Sequence, residues 1–126
     1  MDLPYGSLAN IAGTYEHVNF EPPVMADTYS CFSYFQEIPT ERNREFVQNF
    51  QEQNPEYTKS EGGYVLLSIA DAWNALRFSW NAAERAGTVN QEDVLAEYEE
   101  GLEMESPKGP VTFNGETHHA TQNMWL

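Results

Sequence analysis

The sequence predicts an α/β fold in which helices pack on a small sheet and the chain closes in a C-terminal β-hairpin. Three observations carry that expectation. A β-prone run, Val24 to Phe32, is followed by an amphipathic segment over 41–53 that a threonine can cap. A long stretch from Tyr64 to Ala86 places large apolar residues at alternating steps of three and four. Asn114-Gly115 stands between two β-prone runs, the strongest short-range hairpin signal.

Taken in order, Ser7 to Gly13 reads as a short helix with a serine cap and a glycine stop. Glu21-Pro22-Pro23 breaks the chain and delivers the strand Val24–Phe32, which ends in the cluster Phe32-Ser33-Tyr34-Phe35. Thr40 then accepts the first free amide of helix 41–53. Phe46, Val47 and Phe50 share one face of that helix and Glu41, Arg42, Glu45 and Gln48 the other, as packing on a sheet requires. Within 64–86, Leu66, Ile69, Trp73, Leu76, Trp80 and Ala83 form one stripe, expected to be buried. Two tryptophans are too bulky for a two-stranded coiled-coil seam, so a core helix is expected. Gly87 sits where a left-handed cap belongs. Asn90 caps a further helix over 91–100, with Val94, Leu95 and Tyr98 inward and Glu92, Asp93, Glu97, Glu99 and Glu100 solvated. Val111–Phe113 and Thr117–Leu126 form the arms of the hairpin.

The chain has 126 residues, a length suited to one domain, and 20 acidic against 6 basic residues give a net charge of −14. So negative a surface repels phosphate backbones and anionic lipids, which argues against nucleic acid as a partner. The acidity is dispersed along the chain and reads as a coat adapted to concentrated salt, since self-repulsion at this charge costs stability unless salt screens it. The one cysteine, Cys31, permits no intramolecular disulfide and reads as a small apolar filler at a strand end. The N-terminus has neither a basic start nor an apolar run, so no signal peptide is expected in the chain as written, and no stretch approaches the roughly 20 apolar residues of a membrane span.

No phosphate-binding glycine loop, nucleophile elbow or zinc-binding helix motif is present in the sequence, and neither catalysis nor a cofactor is expected. His118-His119 invites a metal reading, but neighbours on a strand point to opposite faces and cannot easily chelate one ion, so a structural hairpin role is expected. Ser33, Tyr34 and Phe35 follow the carboxyl end of a strand and precede a helix, the place where open α/β sheets bind ligands. Aromatic walls with hydroxyls suit a small polar ligand. Packing of Tyr34 and Phe35 under the next helix is the competing reading. The order helix, strand, three helices and hairpin holds too little sheet for a complete α/β domain, so a preceding portion is expected to be missing.

Phe32-Ser33-Tyr34-Phe35, the turn to Thr40, and Asn43-Arg44-Glu45-Phe46-Val47 together resemble a segment of the substrate-binding proteins of urea, short-chain amide and branched-chain amino acid ABC transporters. Ala83-Glu84-Arg85-Ala86-Gly87-Thr88 with Asp93-Val94, and Ser106-Pro107-Lys108-Gly109-Pro110-Val111 followed by the paired histidines, resemble the same family in the same order. The resemblance covers about residues 24–125 and implies a partial Rossmann-like lobe of the type I periplasmic-binding-protein fold, the C-terminal part, with the N-terminal lobe absent. It implies a non-enzymatic receptor for a small neutral or zwitterionic ligand (urea, amide or amino acid) that works with ABC permease subunits by lobe closure. Ligand contacts carry over onto Tyr34, with Ser33 and Phe35. Trp73, where the family has a tyrosine, is expected to reshape the cleft. An extracytoplasmic location is implied; a chain complete as written would be cytoplasmic.

A lone half lobe exposes apolar surface, so self-association or pairing with a missing lobe is expected. Two other readings stay open: an amide-responsive regulatory protein of the same fold, and a non-enzymatic interaction module whose Leu66–Ala83 stripe docks a partner helix.

Overall fold

The computed structural model describes residues 5–7, 28–60 and 62–126. Two short strands, β1 (Tyr5–Ser7) and β2 (Thr28–Ser30), pair in parallel with Tyr5 opposite Thr28 and Ser7 opposite Ser30. Strand β2 lies inside the expected run 24–32, whose residues 24–27 are outside the described residues, as is the helix expected over 8–13. Strand β1 was not anticipated by the pattern, and it takes Ser7, expected as a helix cap, as its last residue.

Helix α1 (Glu41–Gln53) occupies the span the sequence predicts. Thr40 is extended and its hydroxyl accepts from the Asn43 amide at 3.1 Å, which satisfies one of the free donors at the helix start. A short helix α2 (Pro55–Ser60) follows, opened by proline at the position where the missing N–H has no helical partner to lose. Helix α3 (Leu67–Ala86) has 20 residues, so it runs about 30 Å. Gly87 ends it at φ 66° and its amide bonds the Glu84 carbonyl, the left-handed stop expected there. Helix α4 (Gln91–Glu99) is capped by Asn90, whose side chain accepts from the Glu92 and Asp93 amides.

The expected stripe on α3 is buried only in part: Ile69 and Trp73 pack against the core, while the fully buried positions lie on a neighbouring face. Ala70, Asn74, Phe78 and Ala82 point inward, whereas Leu76 and Trp80 are 73% and 60% exposed. The inward face carries two alanines: Ala70 lies in the core with Tyr34 and Phe46, and Ala82 lies against the C-terminal sheet. Phe78 and Ala82 pack there with Leu102 and Val111.

The C-terminal sheet has three antiparallel strands in the order β3 (Leu102–Ser106), β4 (Gly109–Asn114), β5 (His119–Gln122). The expected hairpin is β4–β5; strand β3 was not expected. Ser106 stands opposite Gly109 across the Pro107-Lys108 turn, and Gly109 takes φ 99° to close it. The link between β4 and β5 holds four residues, 115–118, nucleated by the Asn114 side chain, which accepts from Glu116, from the Thr117 amide and from its hydroxyl. His118 is in this turn at φ 55° with its ring stacked on Phe113, so the two histidines are not a strand pair. Among the described residues no cluster of histidine, cysteine or acidic side chains is arranged to hold a metal.

Two apolar cores result. Tyr34, Ile38, Phe46, Val65 and Ala70 form the first, edged by Phe35, Trp73 and Trp125; Phe78, Ala82, Leu102 and Val111 form the second, edged by Val94, Tyr98 and Phe113. Helix α3 spans both. Leu95, expected inward, is exposed, and Cys31 is half-buried with a free thiol. Two of the acids expected to be simply solvated, Glu97 and Glu100, meet Arg85 at 2.8 and 3.5 Å and tie the ends of α3 and α4 together. No described helix is long and apolar enough to cross a membrane.

Candidate functional site

Strand β2 leads directly into Phe32, Ser33, Tyr34 and Phe35, and this segment with its turn to Thr40 is tied down from several sides. Phe32 and Trp125 exchange backbone bonds at 3.1 and 2.8 Å, so the end of the chain returns to the strand's exit. The Trp125 indole N–H donates to the Lys108 carbonyl at 3.1 Å. From α1, the buried Asn43 amide donates to the Gln36 and Ile38 carbonyls at 2.7 and 3.0 Å. From the approach to α3, the Val65 amide donates to the Gln36 side chain at 2.7 Å. These are non-local tethers from α1, the 62–66 turn and the C-terminal segment, and together they fix the loop without a regular strand or helix within it.

Lys108 supplies the remaining tether. Its side chain is 0% exposed, and its ammonium donates to the Ser33 hydroxyl at 3.1 Å, to the Gln122 side-chain carbonyl at 3.2 Å and to the Asp71 carboxylate. A lysine so buried is stable only with its charge balanced and its three donors satisfied. Asp71 provides the charge from α3 and is 52% exposed, so its second oxygen stays hydrated. The β3–β4 turn thereby inserts a cation beneath the segment that follows β2. The sequence holds no local signal for this contact, because it joins residues 75 positions apart.

Of the sequence-predicted residues, Ser33 is engaged by Lys108, Tyr34 sits at the centre of the first core, and Phe35 packs at its edge with Phe32 at 5.7 Å between ring centroids. Trp73 packs against the same core, and Phe46 makes edge contacts with Tyr34 at 6.3 Å and with Trp73 at 5.7 Å. Tyr34 is 1% exposed, and its hydroxyl has no hydrogen-bond partner among the described residues. Burial, and then the nearby Glu37 charge, push its pKa well above the usual tyrosine range, so the group remains a neutral donor through any physiological pH. The buried Asn43 and Asn74 carbonyl oxygens are likewise unpartnered among the described residues. Beyond Trp73, a groove of about 420 Å³ between α1 and α3 is lined by Arg42, Phe46, Asn49, Phe50, Trp73 and Arg77, among others. Ser33, Tyr34 and Phe35 take no part in it.

Chemically the segment offers a protonated hydroxyl, aromatic edges and a buried ammonium already committed to three acceptors. It offers no nucleophile paired with a base and no group set for proton transfer. What it can do is hold a small molecule by hydrogen bonds and ring contacts.

A family model described as a periplasmic binding protein matches residues 8–126. The chain belongs to this periplasmic binding protein family. No curated protein matches the chain significantly. Solved structures of two solute-binding proteins resemble it in fold. One is a solute-binding protein of an ABC transporter from Rhodopseudomonas palustris BisB5, in complex with 3,4-dihydroxybenzoic acid. It is 23% identical with a TM-score of 0.62, over 75% of this chain and 24% of that one. The other is a solute-binding protein of an ABC transporter from Rhodopseudomonas palustris HaA2, in complex with p-hydroxybenzoic acid, also 23% identical with a TM-score of 0.62, over 76% of this chain and 25% of that one. The chain thus spans about a quarter of the length of these structures. The mixed helix and sheet architecture is that of the type I periplasmic binding protein fold.

Proposed function

We propose that the chain forms the C-terminal part of the ligand-binding lobe of an ABC-transporter solute-binding protein, a non-enzymatic receptor that delivers a small molecule to permease subunits outside the cytoplasm. The ligand wall in this reading is Tyr34 with Ser33 and Phe35, and Trp73 shapes it from behind through Phe46. The observation that carries the proposal is the Tyr34 hydroxyl, a buried donor without a partner among the described residues, at the carboxyl end of a parallel strand. A buried donor left unmade costs about 1–3 kcal/mol, a cost offset when an acceptor reaches it. A carbonyl of a urea, an amide or an amino acid is such an acceptor, and a tyrosine held neutral suits an uncharged or zwitterionic molecule.

An aromatic acid is a second ligand class. It is favoured by the rings of Tyr34 and Phe35 and by the hydroxybenzoates bound to the two structures of similar fold. Calorimetric titration with urea, acetamide, leucine and p-hydroxybenzoate separates the two classes. Binding of any of the first three, weakened about tenfold by Tyr34→Phe, supports the amide or amino acid reading. Binding of p-hydroxybenzoate alone with the same sensitivity supports the aromatic acid. Saturable heat from none of the four would contradict ligand binding by this chain.

A further inference from the structure

We propose that the groove between α1 and α3 is a second binding site, for a small planar carboxylate held by Arg42 and Arg77 beside Trp73. The guanidinium carbons of Arg42 and Arg77 stand 5.5 and 5.6 Å from the centre of the Trp73 ring. Two of the chain's four arginines are therefore gathered at one side chain in a molecule whose net charge is −14. The groove between α1 and α3 brings both arginines together with a single acid, Glu45.

Both guanidiniums keep their hydrogen-bonding capacity. Arg77 has neither an ion pair nor a hydrogen bond among the described residues, and its ring contact uses none of its five N–H donors. Arg42 meets Glu45 at 3.9 Å with both side chains well exposed, a pairing that contributes little. Arg42 also lies in the first turn of α1, the end of a helix that repels a cation and attracts an anion. An anion at Arg42 meets that helix end with the favourable sign; Glu45 also lines the groove and is the one acid that an anion there would meet.

The rest of the groove sets the class of ligand. Its volume of about 420 Å³ falls in the range of small-molecule sites, roughly 300–1,000 Å³. Phe46, Phe50 and Trp73 provide apolar walls, and Asn49 provides an amide. A carboxylate matches the planar fork of a guanidinium, and a flat apolar body matches the rings of Phe46 and Phe50, since the Trp73 ring already faces both guanidiniums; a bare phosphate would leave the rings unused. The site is separate from the Tyr34 wall, since none of Ser33, Tyr34 and Phe35 lines it, and it does not rest on the function proposed above.

The test is calorimetric titration of the protein with benzoate, benzamide and acetate, with tryptophan emission followed in parallel. Benzoate is expected to bind about tenfold or more tightly than benzamide, which lacks the charge, and than acetate, which lacks the ring. Arg42→Gln and Arg77→Gln are each expected to weaken benzoate about tenfold. Both side chains are at the surface, so the denaturation midpoint is expected to stay unchanged. Tyr34→Phe is expected to leave benzoate affinity where it was, which separates this site from the first. The proposal is overturned by equal affinity for benzoate and benzamide, by benzoate binding that only Tyr34→Phe weakens, or by neither heat nor emission change with millimolar benzoate.

Discussion

The ammonium of Lys108 lies 3.1 Å from the hydroxyl of Ser33, so the β3–β4 turn supports, from beneath, the segment that leaves the parallel strand β2. Lys108→Ala leaves Ser33, Gln122 and half-exposed Asp71 without their donor and opens a cavity, with an expected loss of about 2–4 kcal/mol. Lys108→Met fills the same space without a charge and is expected to lose less than about 1.5 kcal/mol. Urea denaturation of both variants measures the difference. An equal loss in both would show that the charge, and not the volume, dominates at this position.

Asn43 is the second anchor of the same loop. Asn43→Ala strips donors from the Gln36 and Ile38 carbonyls, and an expected loss of about 2–3 kcal/mol follows from leaving buried acceptors unpaired. Thr40→Ala removes only the helix cap and is expected to lose about 1 kcal/mol. Hydrogen exchange in 33–40 should accelerate in the first variant more than in the second.

Gly115 is required by a close approach, not by its backbone angles. A Cβ there would overlap the Glu99 carbonyl, and backbone cannot swing aside. Gly115→Ala is therefore expected to cost about 3 kcal/mol or more. Gly87→Ala, where φ is 66° but nothing lies within 4 Å, is expected to cost about 1 kcal/mol. Thermal unfolding of the two variants checks the ranking.

Alkaline pH should weaken the fold through Tyr34. The unfolded chain releases this proton near pH 10, whereas the folded protein holds it to higher pH, so the stabilisation is complete below about pH 10 and is lost above it. Tyr34→Phe should flatten the difference in denaturation midpoint between pH 9 and pH 11 and, because the hydroxyl is unpartnered among the described residues, should leave stability at pH 7 unchanged or raise it.

Much of the fold is legible in the sequence where a local device governs it. Thr40, Gly87 and Asn90 mark ends of α1, α3 and α4 as their side chains or backbone angles require. Leu102-Glu103-Met104-Glu105-Ser106 alternates at period two and signals β3, a pattern hidden by its position just after a helix. The orientation of α3 was legible only in its first half, where Ile69 and Trp73 pack on the core; further on, apolar residues occupy more than one face and the bulk of Leu76 and Trp80 points outward. Phe78 and Ala82 won the inward face by fitting against Leu102 and Val111. Phe78→Ala should accordingly lose about 3–4 kcal/mol and Trp80→Ala less than about 1 kcal/mol, the reverse of what the tryptophan-bearing stripe implies. Of the candidate site, the aromatic segment after β2 was visible from its place in the chain. The Lys108 contact and the Arg42–Trp73–Arg77 groove were not, because each depends on elements brought together only by the tertiary fold.

The most direct measurement is amide NMR of the protein during titration with urea, acetamide, leucine and p-hydroxybenzoate. Binding at the Tyr34 wall predicts saturable shifts centred on Ser33, Tyr34 and Phe35 with at least one of them, spreading to Lys108 through its bond to Ser33. Shifts absent with all four, or confined to residues remote from 32–40, would contradict the assignment of this segment as the ligand wall.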